Sequence, residues 1–353
     1  MRDAASSCSV ALILSGGARD VQLTAASLAR NLLPSLGGAA RVCLFVRSLL
    51  DPDAHKLTAL AVAIKPLHLA VLHVDAARPS AELLTASAAV IRPDQANRSA
   101  QELLQLEEAQ DWVEAFERRR AKAFDLVVRA RLDAFWSASL PSHAIAPGGH
   151  AYIVPRTKQF GGVNDRFGMS SSAVARRVNR RVTAILRHPS AATRNALGTY
   201  NSEQLLNWTL ALHSIEPQRL RLPFCLLVRR KCKCCLLVPS CARSGNKCRP
   251  CSAVEEHAQR ANSSLEVPPV WPPDAMERFD AVVPDEYAAV RRSVTRRDET
   301  TCERELGRLV ARASLTAKLD VSEACRLARA SDCTFDANAG RWVGAGCASR
   351  PAV

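Results

Sequence analysis

Lysine is scarce in this chain. Only 8 of its 48 basic residues are lysines, and alanine is abundant, a bias that reflects GC-rich coding more than selection for a basic surface. The formal net charge of +14 would otherwise point to a polyanionic partner. The arginines are spread along the whole sequence, however, and aromatic residues make up only 5% of it. Single-stranded nucleic acid is gripped by basic grooves interleaved with aromatic platforms, so nucleic acid is disfavoured as a partner. Long apolar runs are missing too. The longest candidate, Leu57 to Val74, is interrupted by Lys65, Pro66 and two histidines, and therefore does not read as a membrane span. Neither a Walker motif nor a Gly-x-Gly-x-x-Gly fingerprint occurs, which argues against the nucleotide-binding enzymes built on them.

Cysteine is nearly absent from the first 224 residues, where only Cys8 and Cys43 occur, yet eleven cysteines lie between Cys225 and Cys347. This divides the chain into an α/β body (1–230), a basic cysteine-rich segment with a proline-rich linker (231–284) and a small helical tail (285–353). Residues 225–251 carry seven cysteines, seven basic residues and no acidic ones. Within them, Cys232-x-Cys234 and Cys248-x-x-Cys251 could hold a structural Zn²⁺ through four thiolates; disulfides in an oxidising compartment are the alternative. In the tail, Cys302, Cys325, Cys333 and Cys347 could form two disulfides or stay free. Sequons at Asn97, Asn207 and Asn262 hint at a secretory route. The expected location is the Golgi or secretory lumen if an anchor precedes residue 1, and the cytoplasm otherwise, because Val10 to Leu14 reads as a strand and not as a signal peptide.

The body alternates. Val10–Leu14 reads as a strand, followed by a helix carrying Leu23, Leu28, Leu32 and Leu33 and stopped by Gly37-Gly38. Strands follow at 42–46 and 67–74, with a helix over 53–63 between them. This β-α-β-α-β order predicts a mostly parallel sheet with helices on its faces. A helix over about 100–123, opened by a Ser99/Glu102 capping box, reads as a surface helix with acids at its front and bases at its end. A strand over 124–129, a strand at 152–155, a helix capped by Ser170 to Ser172 with the stripe Val174, Val178, Val182 and Ile185, and a helix from Asn201 complete the body.

Chemistry concentrates at three places. The apolar run ending in Arg129-Ala130-Arg131-Leu132-Asp133 delivers two guanidiniums and a carboxylate to a strand end, where open α/β sheets bind ligands. Gly161-Gly162-Val163-Asn164-Asp165-Arg166 sets an amide, a carboxylate and a guanidinium on a short loop whose glycines permit a tight turn. Glu203 stands in the first turn of the last helix, where dipole complementation alone would account for it.

Ser15-Gly16-Gly17-Ala18-Arg19 after the first strand, then the Arg-x-Arg-x-Asp strand, then Gly-Gly-Val-Asn-Asp-Arg-Phe-Gly-Met, then Asn-Ser-Glu-Gln-Leu-Leu occur here in an order that resembles GT-A-like glycosyltransferases. The resemblance covers about residues 9 to 230 and rests on poorly characterised algal, plant, bacterial and viral members. It implies a GT-A/Rossmann-like sheet and transfer of a sugar from a nucleotide-sugar donor to a glycan or polysaccharide acceptor. Ser15, Gly16 and Arg19 would line the nucleotide pocket. Arg131 and Asp133 would stand where the family carries Asp-x-Asp, with Asp133 on Mn²⁺ or Mg²⁺. Gly162, Asn164 and Arg166 would face the sugars, and Asp165 or Glu203 would serve as general base. Position 131 departs from the family pattern, so either a cation on Asp133 or the guanidiniums of Arg129 and Arg131 supply the positive charge. Two other classes compete: a non-catalytic sugar- or nucleotide-binding relative, and an anionic-polymer binder using the basic cysteine-rich segment.

Overall fold

A computed structural model describes residues 8–18, 21–64, 68–75, 78–91, 96–136, 138–142, 150–156, 159–188, 200–226, 299–313, 316–330, 334–336 and 341–343. Arg19 and Cys232, Cys234, Cys248 and Cys251 lie outside these residues, as does the whole of the 231–284 segment.

The strand β1 (Val10–Gly16) is apolar at every position but its end, because both of its faces are covered. Val10, Leu12 and Leu14 enter one core, while Ala11 and Ile13 enter the other. β2 (Val42–Leu49), β3 (His68–Asp75) and β4 (Leu126–Arg131) run parallel to it. β6 (Ala151–Pro155) and β7 (Phe167–Ser170) extend the sheet past β4, with β7 antiparallel to both neighbours. β8 (Glu216–Leu220) pairs parallel to β6, and β10 (Thr316–Leu319) pairs parallel to β3. The order is β10-β3-β2-β1-β4-β7-β6-β8, an eight-stranded, mostly parallel sheet. β5 (Ala134–Trp136) leaves the main sheet and pairs with β9 (Phe224–Leu226).

Helices clothe both faces. On one lie α1 (Val21–Ser27), which runs through one π-type turn at Leu28–Leu32 into α2 (Leu33–Ser35), and α3 (Thr58–Ala63). Gly37 and Gly38, both at positive φ, end this helix where the glycine pair predicts. The other face is covered by α5 (Ala96–Arg120), with α4 (Ala81–Val90), α6 (Ser172–Val178), α7 (Arg181–Arg187) and α8 (Ser202–Leu212) beside it. No described helix is long and apolar enough to cross a membrane.

Three expectations about elements are corrected. The capping box at Ser99 and Glu102 does not form, because α5 starts at Ala96 and Glu102 instead faces Arg98 and Arg131. Nor is α5 a surface helix. Gln105, Gln110, Glu114 and Glu117 are buried, and its acids are spent on partners across the face. Glu117 accepts from the Phe124 N–H at 2.8 Å and the Ser172 hydroxyl at 2.6 Å, while Glu114 accepts from Arg180 at 3.0 Å. The stripe Val174 to Ile185 is two helices, broken at Asn179, whose amide donates to the buried Gln110 at 3.0 Å.

The tail expected to be helical (285–353) contains α9 (Glu299–Ala311) and α10 (Val321–Ala330) around the strand β10. Leu306, Leu309, Ala324 and Cys325 join the core cluster of the sheet, and Lys318 on β10 meets Asp75 at 2.7 Å. Disulfides link Cys8 to Cys43 across the starts of β1 and β2, and Cys302 to Cys325 between α9 and α10. Cys333 and Cys347 lie outside the described residues.

Candidate functional site

The strand order reverses direction between β1 and β4, and in doubly wound sheets a crevice opens outside the carboxyl ends of such a strand pair. Ser15 and Arg131 stand side by side at this point, paired across the two strands. Gly16 follows at φ +115°, and among the described residues a Cβ placed on it would meet nothing within 4 Å. Its carbonyl accepts from the Ser48 hydroxyl at 2.8 Å, which ties the tip of β1 to β2. The turn after β4 is fixed in the same way: the Leu132 N–H donates to the Ser15 carbonyl at 3.0 Å, and the Trp136 N–H donates to Ser27 Oγ at 3.1 Å.

Arg131 closes a two-toothed fork on Asp133, with Nε to Oδ1 at 2.8 Å and Nη2 to Oδ2 at 2.9 Å. Glu102 on α5 lies 4.0 Å from its Nη1. Burial by itself would discharge this guanidinium, but the charges of Asp133, Glu102 and Asp165 outweigh it and raise the pKa above the ordinary arginine value. The result is a permanent, oriented cation at the strand end.

Facing it is the loop 159–166, docked on the start of α8. Asn201 caps that helix reciprocally with Gln204, at 2.8 Å and 3.0 Å, and its Nδ2 donates to the Phe160 carbonyl at 2.8 Å. The Val163 N–H donates to the Glu203 carbonyl at 2.9 Å. This approach is so close that a Cβ on Gly162 would lie 2.2 Å from the Glu203 oxygen, so Gly162 serves here as the point where two backbones meet. Asn164 is buried, and its Oδ1 accepts from the Arg166 N–H at 2.9 Å, shaping the turn that presents Asp165. Phe160 is 54% exposed, with the Arg166 guanidinium 5.6 Å from its ring centre.

Glu203 is buried at the head of α8, where it accepts from Ser202 Oγ at 3.0 Å. A glutamate that merely complemented a helix dipole would be held ionised. Here burial, and then the charge of Asp165, raise its pKa, against opposing pulls from its own backbone N–H, Ser202 and Arg166. Asp165 thus acts electrically on Glu203, on Arg131 and on the buried Arg181. Residues from β1, β4, the 159–166 loop and α8 therefore share one site.

The structure adds members that sequence reasoning did not select. Glu102 reaches the site because α5 crosses the sheet. Phe160 is reached because its loop turns outward, and Arg181 because α7 begins behind β4. Arg129 points inward toward Arg181, one step deeper than Arg131. For a divalent cation the fit is poor: hard cations take six or more oxygen ligands, whereas both oxygens of Asp133 already accept from Arg131. Among the described residues no group of three His, Cys, Asp or Glu side chains is placed to hold a metal.

No curated protein matches this chain. One family model does, over residues 5–272, a span that takes in the whole sheet except β10 together with every element of the site just described. The chain therefore belongs to the family described as Domain of unknown function (DUF7796).

Proposed function

We propose that this protein is a GT-A-like glycosyltransferase. It binds a nucleotide sugar at the carboxyl ends of β1 and β4 and passes the sugar to a hydroxyl of a glycan or polysaccharide. The observation that carries this reading is the convergence, at one sheet end, of a clamped guanidinium (Arg131 on Asp133) with a coupled carboxylate pair (Asp165 and Glu203).

The roles follow from charge and position. The diphosphate leaves as an anion, so positive charge must be in place as its oxygens develop. Arg131 supplies that charge, and Asp133 keeps its fork aligned. Ser15 and Gly16 offer a backbone edge that, among the described residues, no side chain obstructs at Gly16. Glu203, whose pKa burial raises, serves as the proton acceptor. As the bond from the anomeric carbon to the acceptor oxygen forms, Glu203 takes the acceptor proton. The bond to the diphosphate breaks, and its electron pair leaves with the nucleotide. Exposed Phe160 beside Arg166 gives a sugar ring an apolar face to lie against and a donor for its hydroxyls. Two disulfides among the described residues and the exposed Asn97 and Asn207 sequons fit an oxidising, secretory compartment.

A second reading, a binding protein without turnover, is favoured by one feature: Asp133 is occupied by Arg131 instead of being open to a cation. A thermal-shift screen of the full chain against nucleoside diphosphates and nucleotide sugars, with and without Mn²⁺, separates the possibilities. A nucleotide-selective shift that is independent of Mn²⁺ and lost in Arg131→Ala is the expected result. A shift that requires Mn²⁺ and is lost in Asp133→Ala would assign the charge to a metal. Binding without product from any donor selects the second reading, and no shift with any nucleotide removes the first.

A further inference from the structure

The sheet face under α5 to α7 holds three buried arginines, treated in two different ways. Arg47 on β2 is fully neutralised: it meets Asp75 at 2.6 Å and Glu108 at 2.7 Å, and donates to the Ser48 carbonyl at 2.8 Å. That is the ordinary requirement for a charge removed from water. Arg129 and Arg181 are not treated so. Arg181 is 0% exposed and Arg129 9%. Among the described residues, Arg129 Nε and Nη1, Arg181 Nη1 and Nη2, and the Tyr152 hydroxyl have no hydrogen-bond partner. Arg181 Nε donates to the Val178 carbonyl at 3.3 Å.

These groups share one place. Arg129 on β4 pairs across the ladder with Gly168 on β7. A Cβ at Gly168 would lie 1.8 Å from the Tyr152 oxygen, so the missing side chain is what lets the phenol lie over the sheet. Arg181 opens α7 behind this point. Burial and the repulsion of Arg129 lower its pKa to about 10, against the pull of Tyr152 and Asp165. Tyr152 lies near enough to this guanidinium to favour its charged form. Two guanidiniums that repel each other, with four N–H-bearing nitrogens left unbonded among the described residues and a phenol beside them, make a donor-rich, positively charged cluster.

We propose that Arg129, Arg181 and Tyr152 form a seat for a phosphoryl group, distinct from the Arg131–Asp133 clamp. Guanidinium forks match phosphate oxygens geometrically, and a doubly charged oxyanion would neutralise the pair and accept from all three side chains. The group is either free phosphate or the terminal phosphate of a nucleotide. The seat borders the site above through Asp165 but stands without the transferase reading.

The test is thermal unfolding of the full chain in buffers matched for ionic strength, with chloride, inorganic phosphate or a nucleoside diphosphate. Phosphate is expected to raise the midpoint by several degrees over chloride. Arg181→Gln is expected to abolish that rise. In chloride it should unfold no lower than the wild type, because the substitution removes repulsion; an arginine of purely structural use would lose stability in both buffers. Tyr152→Phe keeps both guanidiniums and the packing, and is expected to weaken phosphate binding about tenfold. If the nucleoside diphosphate shift also fails in Arg181→Gln, the seat takes a nucleotide's terminal phosphate. If that shift survives there and fails only in Arg131→Ala, the seat takes free phosphate and the nucleotide site is separate. A phosphate effect no larger than that of chloride, or one that persists in Arg181→Gln, overturns the proposal.

Discussion

Glu203 carries the clearest conflict between stability and use. Its folded pKa is raised, so the unfolded chain gives up this proton first as pH rises. Glu203 therefore costs no stability well below its unfolded pKa, and its cost is complete only above the raised folded value. Glu203→Gln is expected to raise the unfolding midpoint at pH 8, with a gain that vanishes under acid conditions, and to abolish transfer. A midpoint lower than wild type at pH 8 would contradict the burial argument. Asp75 shows the opposite sign. Burial opposes its ionisation, but Lys318 and Arg47 prevail and lower its pKa. Its contribution is present above the unfolded carboxylate pKa and lost as pH falls through the folded one. Asp75→Asn should consequently narrow the gap in stability between neutral and acid pH, as measured by denaturant unfolding at each. The sequence placed Asp165 and Glu203 on the candidate roster, but their coupling was invisible in it, because the residues are 38 positions apart and meet only through a docked loop.

The junction of the 159–166 loop with α8 decides whether the two carboxylates face each other. Gly162 is its tightest point, and a methyl there would collide with backbone at 2.2 Å, where no rotamer change can help. Gly162→Ala is expected to cost about 1–3 kcal/mol of stability and to lower transfer more than nucleotide binding, since it displaces the loop and not β1 or β4. Calorimetry and nucleotide titration on the same variant would separate those effects. At this scale the legible features were local. The Asn201 cap, the Gly37-Gly38 stop and the four central parallel strands all announce themselves through near-neighbour chemistry. α5 did not. Its alternation of acids and apolar residues fits a solvated face equally well, and only the arginines of α6, α7 and the sheet turn that face inward.

At the scale of the whole molecule, the described residues after 298 belong to the same sheet and core as the residues before them. β10 extends the sheet at the β3 edge, and α9 and α10 add side chains to its core. The Cys302–Cys325 and Cys8–Cys43 bonds close separations of 23 and 35 residues. Disulfides closing loops of this size typically stabilise by about 2–4 kcal/mol, so reduction with a phosphine is expected to lower the midpoint. Replacing both Cys8 and Cys43 by alanine should remove part of that drop, and an unchanged midpoint on reduction would show that neither bond bears on folding. The Cys8–Cys43 pair was written in the sequence only as two lone cysteines. It becomes a bond because β1 and β2 run parallel in register and bring their first residues together.

By itself the sequence determined the strand–helix alternation, the apolar strands buried on both sides, and the chemical repertoire gathered at the ends of β1 and β4. Those follow from periodicity, turn chemistry and the abrupt passage from apolar to charged residues. Only the tertiary structure decided that Arg131 is clamped by Asp133, that the pKa of Glu203 is raised by burial and by Asp165, and that Arg129 repels the buried Arg181 while Arg47 is neutralised by carboxylates. Charge in a protein acts through distance and burial, and both are set by which elements pack together, not by their order along the chain.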